Sequence, residues 1–360
     1  MLSREERLAL TANGGLFTRE LESRGIEIEI IDRFDELMIA RHGGREELLV
    51  GYFSSIVPHV NAQVADNKFL LKEMLRRAEL PYVPGSRFDL RAGGYAFAYA
   101  RGLGLPVVFK PIFGSAGAHV VLDIEDAIQL DDAIEAFAMA RGPKAAFLVE
   151  KQIPWPEIRV FITRLGDYAA VHRDPAHVYG DGRHTILELA NLESYRRAHL
   201  VEDNCLCAIR IDDRVTRHLG REGRSLDSRP ADGEKVYLRK NSNASDGAAV
   251  DDVTMSVHAS LVRACKQALD VLRLPYVGFD VLCRDFTRPC GPGDYYFLEA
   301  NSRPSVGMHL NPGTGPHRNA FAKIADLIFP ETARAAPPEP GQLRPIEVGT
   351  IHGADPSPVS

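Results

Sequence analysis

The sequence predicts an α+β fold in which helices and antiparallel hairpins are mixed, not a doubly wound parallel sheet. Three observations predict it. Two pairs of apolar stretches, Glu157 to Thr163 with Tyr168 to Val171 and Tyr276 to Cys283 with Tyr295 to Asn301, are each joined by a turn-rich segment. Segments with apolar residues at helical spacing lie between them, at Asn67 to Leu80, Glu125 to Arg141 and Val257 to Leu272. Strands and helices do not alternate strictly, as a βαβ sheet would require.

Taken in order, Ile26 to Ile31 (IEIEII) alternates and reads as a strand, and Leu48 to Gly51 as a second. The helix over 67–80 has Asp66 as its expected N-cap and ends before Pro81 and Pro84. Gly93 to Leu103 reads as a helix that stops near Gly104. Leu105 to Pro111 is a strand, Ile112 to Ala118 a small-residue loop, His119 to Asp123 a strand and Ala146 to Glu150 another. Thr185 to Leu200 reads as a helix. From Ala335 onward, prolines without apolar periodicity predict a mobile tail. The expected division is an N-terminal lobe with a linking helix over 1–84, a small lobe over 85–155, a large lobe over 156–334 and a Pro-rich tail over 335–360.

The chain has 360 residues, 45% of them hydrophobic, and a net charge of -6. That is long for one compact unit, so two or three lobes are expected. No long basic run implies nucleic acid or an anionic membrane, no apolar stretch suits a membrane span, and the N-terminus lacks a signal-peptide pattern. Five scattered cysteines argue against a disulfide framework and for a reducing cytoplasm. Cys205 and Cys207 form a C-x-C that reads either as two reduced thiols or as half of a metal site.

Three constellations carry chemistry. Lys110 ends an apolar strand and is followed by Gly114, Ser115, Ala116 and Gly117. Small residues let backbone N–H groups approach phosphate oxygens, and the ammonium adds charge. A glycine-rich hairpin beside a solvated lysine has the same pattern. Glu150, Lys151 and Ile153 lie where a strand runs into a Pro-rich linker, which offers adenine a backbone edge and apolar walls. A strand end with surface charges also fits. Third, Glu299 and Asn301 are two apart on one strand, so they share a face, and Asp280 lies on the preceding strand. Two carboxylates and an amide oxygen suit Mg²⁺, and an acidic pair within apolar strands is costly to bury without a cation.

With these residues in place, the sequence resembles the ATP-grasp superfamily, in particular the ATP-grasp domains of cyanophycin synthetases and bifunctional glutathione synthetases. The resemblance runs through Asp66-Asn67-Lys68, KPIFGSAGAHV, LVEKQI, EIRVFI, HRDPAHVYGDGRHTILEL, LRKNSNASDGAAVDDVT, GFDVL and FLEANSRP, in that order from about Asp66 to Pro330. It implies two α+β lobes gripping ATP, preceded by a short N-terminal lobe. It also implies Mg²⁺, as two ions for which Mn²⁺ can substitute. Lys110 and Lys151 would contact phosphate or adenine, Glu150 and Ile153 adenine, Glu157 the ribose, and Gly114 to Gly117 would close over the phosphates. Asp280, Glu299 and Asn301 would hold the metal. Arg173, Arg239 and Lys240 would serve an acyl phosphate. Arg159, His172, Asn243, Ser245, Arg303 and His309 are expected near substrate. Asp246 departs from the neutral residue of the family's acceptor loop. The implied reaction joins a carboxylate to an amine through an acyl phosphate, with small-molecule partners; a kinase or a non-catalytic nucleotide binder on the same fold are the alternatives. A homodimer is compatible with the family.

Overall fold

In the computed structural model of the chain, residues 2–3, 6, 9–90, 93–114, 118–142, 145–199 and 206–333 are described. The chain opens with α1 (Ala12–Ser23) and a meander of β1 (Glu27–Asp32), β2 (Leu37–His42), β3 (Arg45–Val50) and β4 (Phe53–Ser54). The expected strands at 26–31 and 48–51 are present, with β2 between them.

Helices α2 (His59–Asp66) and α3 (Lys68–Arg77) follow. The cap of α3 differs from expectation by one residue. The Asn67 side chain accepts from the amides of Phe69 and Leu70, both at 3.0 Å. Asp66 instead accepts from the backbone N–H of Ser302 at 2.8 Å and from its hydroxyl at 2.7 Å. The α2–α3 junction is thereby tied to the residue after Asn301.

The next unit holds β5 (Gly85–Asp89), α4 (Gly93–Leu103), β6 (Val107–Pro111), β7 (Val121–Ile124), α5 (Ala127–Arg141) and β8 (Ala146–Lys151). Its sheet runs in the order β5-β8-β6-β7. Phe109 and Phe147 of the sheet are buried with their rings 4.8 Å apart, and Phe137 of α5 packs on Phe109 at 5.5 Å.

The largest sheet follows, built from β9 (Glu157–Thr163) and β10 (Tyr168–Asp174) and continued below. An excursion then carries β11 (His177–Tyr179), α6 (Ile186–Ala198), α7 (Asp213–Arg221) and β12 (Lys235–Tyr237), with its own small core around Val178, Ile186, Val215 and Leu219. Thr185 and Glu188 form a reciprocal capping box at the start of α6. The chain returns through β13 (Ala249–Asp252), α8 (Ala259–Leu272), β14 (Tyr276–Cys283), β15 (Tyr295–Asn301), α9 (Gly307–Leu310) and α10 (Ala320–Ile328). Sheet order is β13-β10-β9-β14-β15.

All eight residues of β14 are buried, because it has a strand on each side and helix or loop on each face. Gly278 is required there: a Cβ would lie 2.7 Å from Pro304 Cβ. The apolar runs and the turn-rich segment between them predicted β14 and β15 correctly, and they pair antiparallel, with Asp280 opposite Glu299 and Gly278 opposite Asn301. Among the described residues no helix is long and apolar enough to cross a membrane.

Candidate active site

A cavity of roughly 1220 Å³ lies between the sheet containing β6 and β8 and the sheet containing β9, β14 and β15. Val108, Leu122, Ile153, Trp155, Leu282 and Leu298 give it apolar walls. The register slips between Asp280 and Val281, so β15 carries one extra residue at Leu298. Such a bulge breaks the two-residue alternation, and Leu298 and Glu299, though adjacent, both line the cavity.

One wall carries lysines. Lys110 Nζ lies 2.6 Å from Glu150 Oε2, and Lys72 Nζ lies 2.8 Å from Glu150 Oε1. Lys72 also donates to the carbonyl of Val83. Lys68 Nζ donates to the Gly114 carbonyl at 3.0 Å and sits 3.5 Å from Glu299, which is 4.0 Å from Lys110. Burial pushes the Glu150 carboxyl up, but the two ammoniums outweigh it and hold the group below its ordinary value. The Glu150 side chain is therefore spent on lysines. An adenine edge here has to come from the backbone of the strand running into Ile153.

The opposite wall carries arginines. Arg159 grips Asp280 through Nε and, at 2.7 Å, through Nη2; Arg173 reaches it at 3.1 Å and also pairs with Glu157. Glu157 accepts from Ser242 as well. Burial raises the Asp280 carboxyl, but Arg159 and then Arg173 more than reverse this and bring it to about 2. This corrects the expectation that Asp280 requires a bound metal in order to be buried. Two guanidiniums from β9 and β10 neutralise it first.

The set still fits Mg²⁺. Glu299 and Asn301 face the cleft, the Glu299 carboxylate has only long contacts, to Lys68 and Lys110, among the described residues, and a carboxylate has about four acceptor sites, so Asp280 is not saturated by its arginines. The buried Arg173 Nε has no hydrogen-bond partner among the described residues. A donor so placed at a cavity wall suits a ligand oxygen.

The other sequence-predicted residues are scattered around this centre. Lys151 is exposed at the cavity rim, and its backbone N–H donates to the Pro84 carbonyl at 2.8 Å. Gly114 is described, with φ of 144°, whereas Ser115, Ala116 and Gly117 lie outside the described residues, as do Cys205 and the predicted tail. Arg239 is buried and held by Asp212 at 3.1 Å and the Arg210 carbonyl at 2.7 Å. Lys240 reaches across the cavity mouth to Asp123 at 2.7 Å. Asn243 and Ser245 line the cavity, and the Asp246 carboxylate is turned inward, accepting from the Asn241 and Asn243 amides at 3.4 and 3.3 Å. The unusual acidic residue of this loop thus holds two side-chain amides of the same loop. Arg303 is exposed, lines the cavity, and ties to the Val50 carbonyl at 3.1 Å.

The two histidines expected near substrate differ in their placement. His172 lines the cavity, with its ring 6.2 Å from that of Phe286. His309 is fully buried on α9, neither ring nitrogen has a partner among the described residues, and it is absent from the cavity wall. Burial, then Arg159, Arg318 and Arg173, push its pKa down to about 3.

Comparison with known structures follows from this geometry. The chain superimposes on a bifunctional glutathione synthetase from Pasteurella multocida with a TM-score of 0.64 and 23% identity, over 89% of this chain and 43% of that one. The chain has the ATP-grasp fold. In sequence it is 32% identical to a cyanophycin synthetase of Crocosphaera subtropica over 229 residues, 63% of this chain and 26% of the relative. It is 28% identical to the glutathione biosynthesis bifunctional protein GshAB of Enterococcus faecalis over 89% of this chain and 42% of that protein. The chain thus spans a quarter to about two fifths of these curated relatives, to which it is distantly related. No family model matches it.

Within this ATP-grasp fold, sequence reasoning passed over Lys68, Lys72, Trp155 and Asp123. Lys68 lies in a segment whose resemblance was noted, and its place beside Gly114 and Glu299 was the missing signal. Lys72 follows it by one helical turn, on the same face.

Proposed function

We propose that the protein is an ATP-dependent, ADP-forming ligase that joins a carboxylate to an amine. The observation that carries this reading is the cross-strand set of Asp280, Glu299 and Asn301 facing Lys110 and Lys68 over one cavity. Hard oxygen donors with ammoniums close beside them suit a metal-bound triphosphate. Asp280, Glu299 and Asn301 would hold Mg²⁺, which supplies neutralisation of charge on the phosphates.

In the proposed reaction a carboxylate oxygen attacks the γ-phosphorus, the bond to the bridging oxygen breaks, and ADP leaves. The resulting acyl phosphate is attacked by an amine at the acyl carbon, and inorganic phosphate departs. Lys110 and Lys68 offset charge on the phosphates, and the buried Arg173 Nε, without an acceptor among the described residues, is a donor available to a reacting oxygen. The apolar walls exclude water, which would hydrolyse the acyl phosphate. The names of the sequence relatives, a cyanophycin synthetase and a glutathione biosynthesis protein, favour an amino acid or small peptide as donor, with the glutamate γ-carboxylate the first to test.

The test is hydroxylamine trapping with ATP and a panel of amino acids and dipeptides. A ligase gives a hydroxamate and ADP with at least one of them; a kinase acting on a hydroxyl gives ADP and no hydroxamate, and a nucleotide binder gives neither. Glu299→Ala and Lys110→Ala should each lower ADP formation by at least about 10²-fold with the circular dichroism unchanged. Undiminished ADP formation in either variant overturns the assignment.

A further inference from the structure

We infer that Lys72 is a positioning residue of the nucleotide site, acting through Glu150 to keep the Lys110 charge available to a phosphate. This rests on the proposed nucleotide site and goes beyond it, because Lys72 is not among the cavity-lining residues, whereas Lys110 and Glu150 are. Lys72 projects from α3 and its side chain is 4% exposed. Its ammonium has three neighbours: Glu150 Oε1 at 2.8 Å, the Val83 carbonyl, and the Tyr82 ring with its centroid at 5.7 Å. A carboxylate, a carbonyl and a π face all favour a cation.

Burial, with Lys110 adding to it, draws the Lys72 ammonium below its ordinary value, and Glu150 opposes the shift. The three acceptors decide for the charged form, since a neutral amine would forfeit most of each interaction. Lys72, Glu150 and Lys110 together then carry one surplus positive charge.

The division of Glu150 between two lysines is the working part. Each oxygen has its own ammonium, so Glu150 holds Lys110 in place without cancelling it. Without Lys72, Glu150 has Lys110 alone, the pair is neutral, and the phosphates lose a full charge from the lysine wall. The loss of Glu150 acts the other way. Lys110 is freed, and Lys72, left without its counter-ion in a buried position, can shed its proton. The two partners of one ion pair are therefore expected to act oppositely on phosphate binding. A role confined to holding the fold together would make both substitutions weaken it.

The experiment uses the full chain at pH 8 with Mg²⁺, and compares ATP with adenosine by calorimetry and by the fluorescence of Trp155, the single tryptophan, which lines the cavity. Lys72→Met should weaken ATP about tenfold and leave adenosine within about twofold. Glu150→Gln should bind ATP as tightly as wild type or more tightly, and Lys72→Met with Glu150→Gln should recover most of the loss. If Lys72→Met does not fold, the Glu150→Gln and double variants still decide, because each is expected to match wild type within about threefold. The inference is overturned if Lys72→Met binds ATP like wild type, if adenosine weakens in parallel with ATP, or if either Glu150→Gln variant is tenfold weaker. Wild-type protein that binds no ATP would instead remove the nucleotide site itself.

Discussion

The two charged walls of the cavity are built on opposite principles. On the lysine wall, Lys68, Lys72 and Lys110 face Glu150 and Glu299, three cations against two anions. On the arginine wall, Arg159 and Arg173 face Glu157 and Asp280, two against two. The first leaves a positive charge unspent. The second is balanced, and its forked guanidiniums hold carboxylates bidentately where ammoniums act as point charges. Surplus charge suits a wall that receives an anion, and balance suits one that keeps the carboxylate proposed to hold metal in a fixed orientation.

The sharpest way to break this contrast is to remove one cation from each wall and measure stability by urea unfolding. Arg159→Met leaves the buried Asp280 and the half-buried Glu157 sharing Arg173, a net negative charge beside apolar strands. The expected cost is about 3–5 kcal/mol. Lys110→Met leaves Glu150 paired with Lys72 and the remainder of that wall neutral, so about half that cost is expected. Equal costs would mean that charge balance does not distinguish the walls. The function of each wall should separate as well, with Lys110→Met lowering ATP affinity more than it lowers the unfolding midpoint.

A smaller effect tests whether the arginine wall has room for more positive charge. His309 lies behind it, facing Arg159, Arg173 and Arg318, and its pKa is pushed down from the ordinary 6.5 to about 3. Between these values the unfolded chain binds a proton on His309 that the folded chain refuses. Stability is therefore full above pH 6.5 and falls as pH falls toward about 3, with a slope of at most about 1.4 kcal/mol per pH unit. Asp280 is outside most of this window, because its pKa of about 2 keeps it ionised. His309→Leu should flatten the limb between pH 7 and 5 and, since it removes two unpartnered buried nitrogens, shift stability at pH 7.5 by less than about 1 kcal/mol. An unchanged limb would show that the folded state accepts the proton after all.

These walls also mark the limit of what the sequence made legible. Apolar runs and turn residues revealed the β9–β10 and β14–β15 hairpins, and with them that Glu299 and Asn301 share a face with Asp280 near. Periodicity could not show that β9 lies beside β14, because their pairing joins residues more than a hundred apart, and so the Arg159–Asp280 clamp was invisible. The same holds for Lys72, whose helix was predicted but whose partner, Glu150, is reached only through the packing of α3 on another sheet. Short elements were lost for a local reason. Helices α2, α7 and α10 span eight or nine residues, too few turns for a 3.6-residue period to stand out from neighbouring loops. The cap shift from Asp66 to Asn67 has a similar origin, since both residues are good caps and the tertiary bond to Ser302 chose between them.

The smallest effect concerns the contact that joins the two sides of the cavity mouth. Asp123 on β7 accepts from Gln152 at 2.8 Å within its own unit, and from Lys240 at 2.7 Å and Arg221 at 3.5 Å on the far side. Both far-side partners are largely exposed, so water and salt screen them, unlike the buried walls. An exposed pair of this kind contributes about 0.2–1 kcal/mol. Asp123→Asn should keep the Gln152 contact and lose the charge across the mouth. Release of ATP, followed by stopped-flow fluorescence of Trp155, should then quicken by about two- to fivefold. Raising salt should quicken release from the wild type toward the same rate and leave the variant nearly unmoved, whereas stability contributed by the arginine wall should hardly respond to salt. Equal salt dependence in wild type and variant would show that the clasp across the mouth does not restrain the nucleotide.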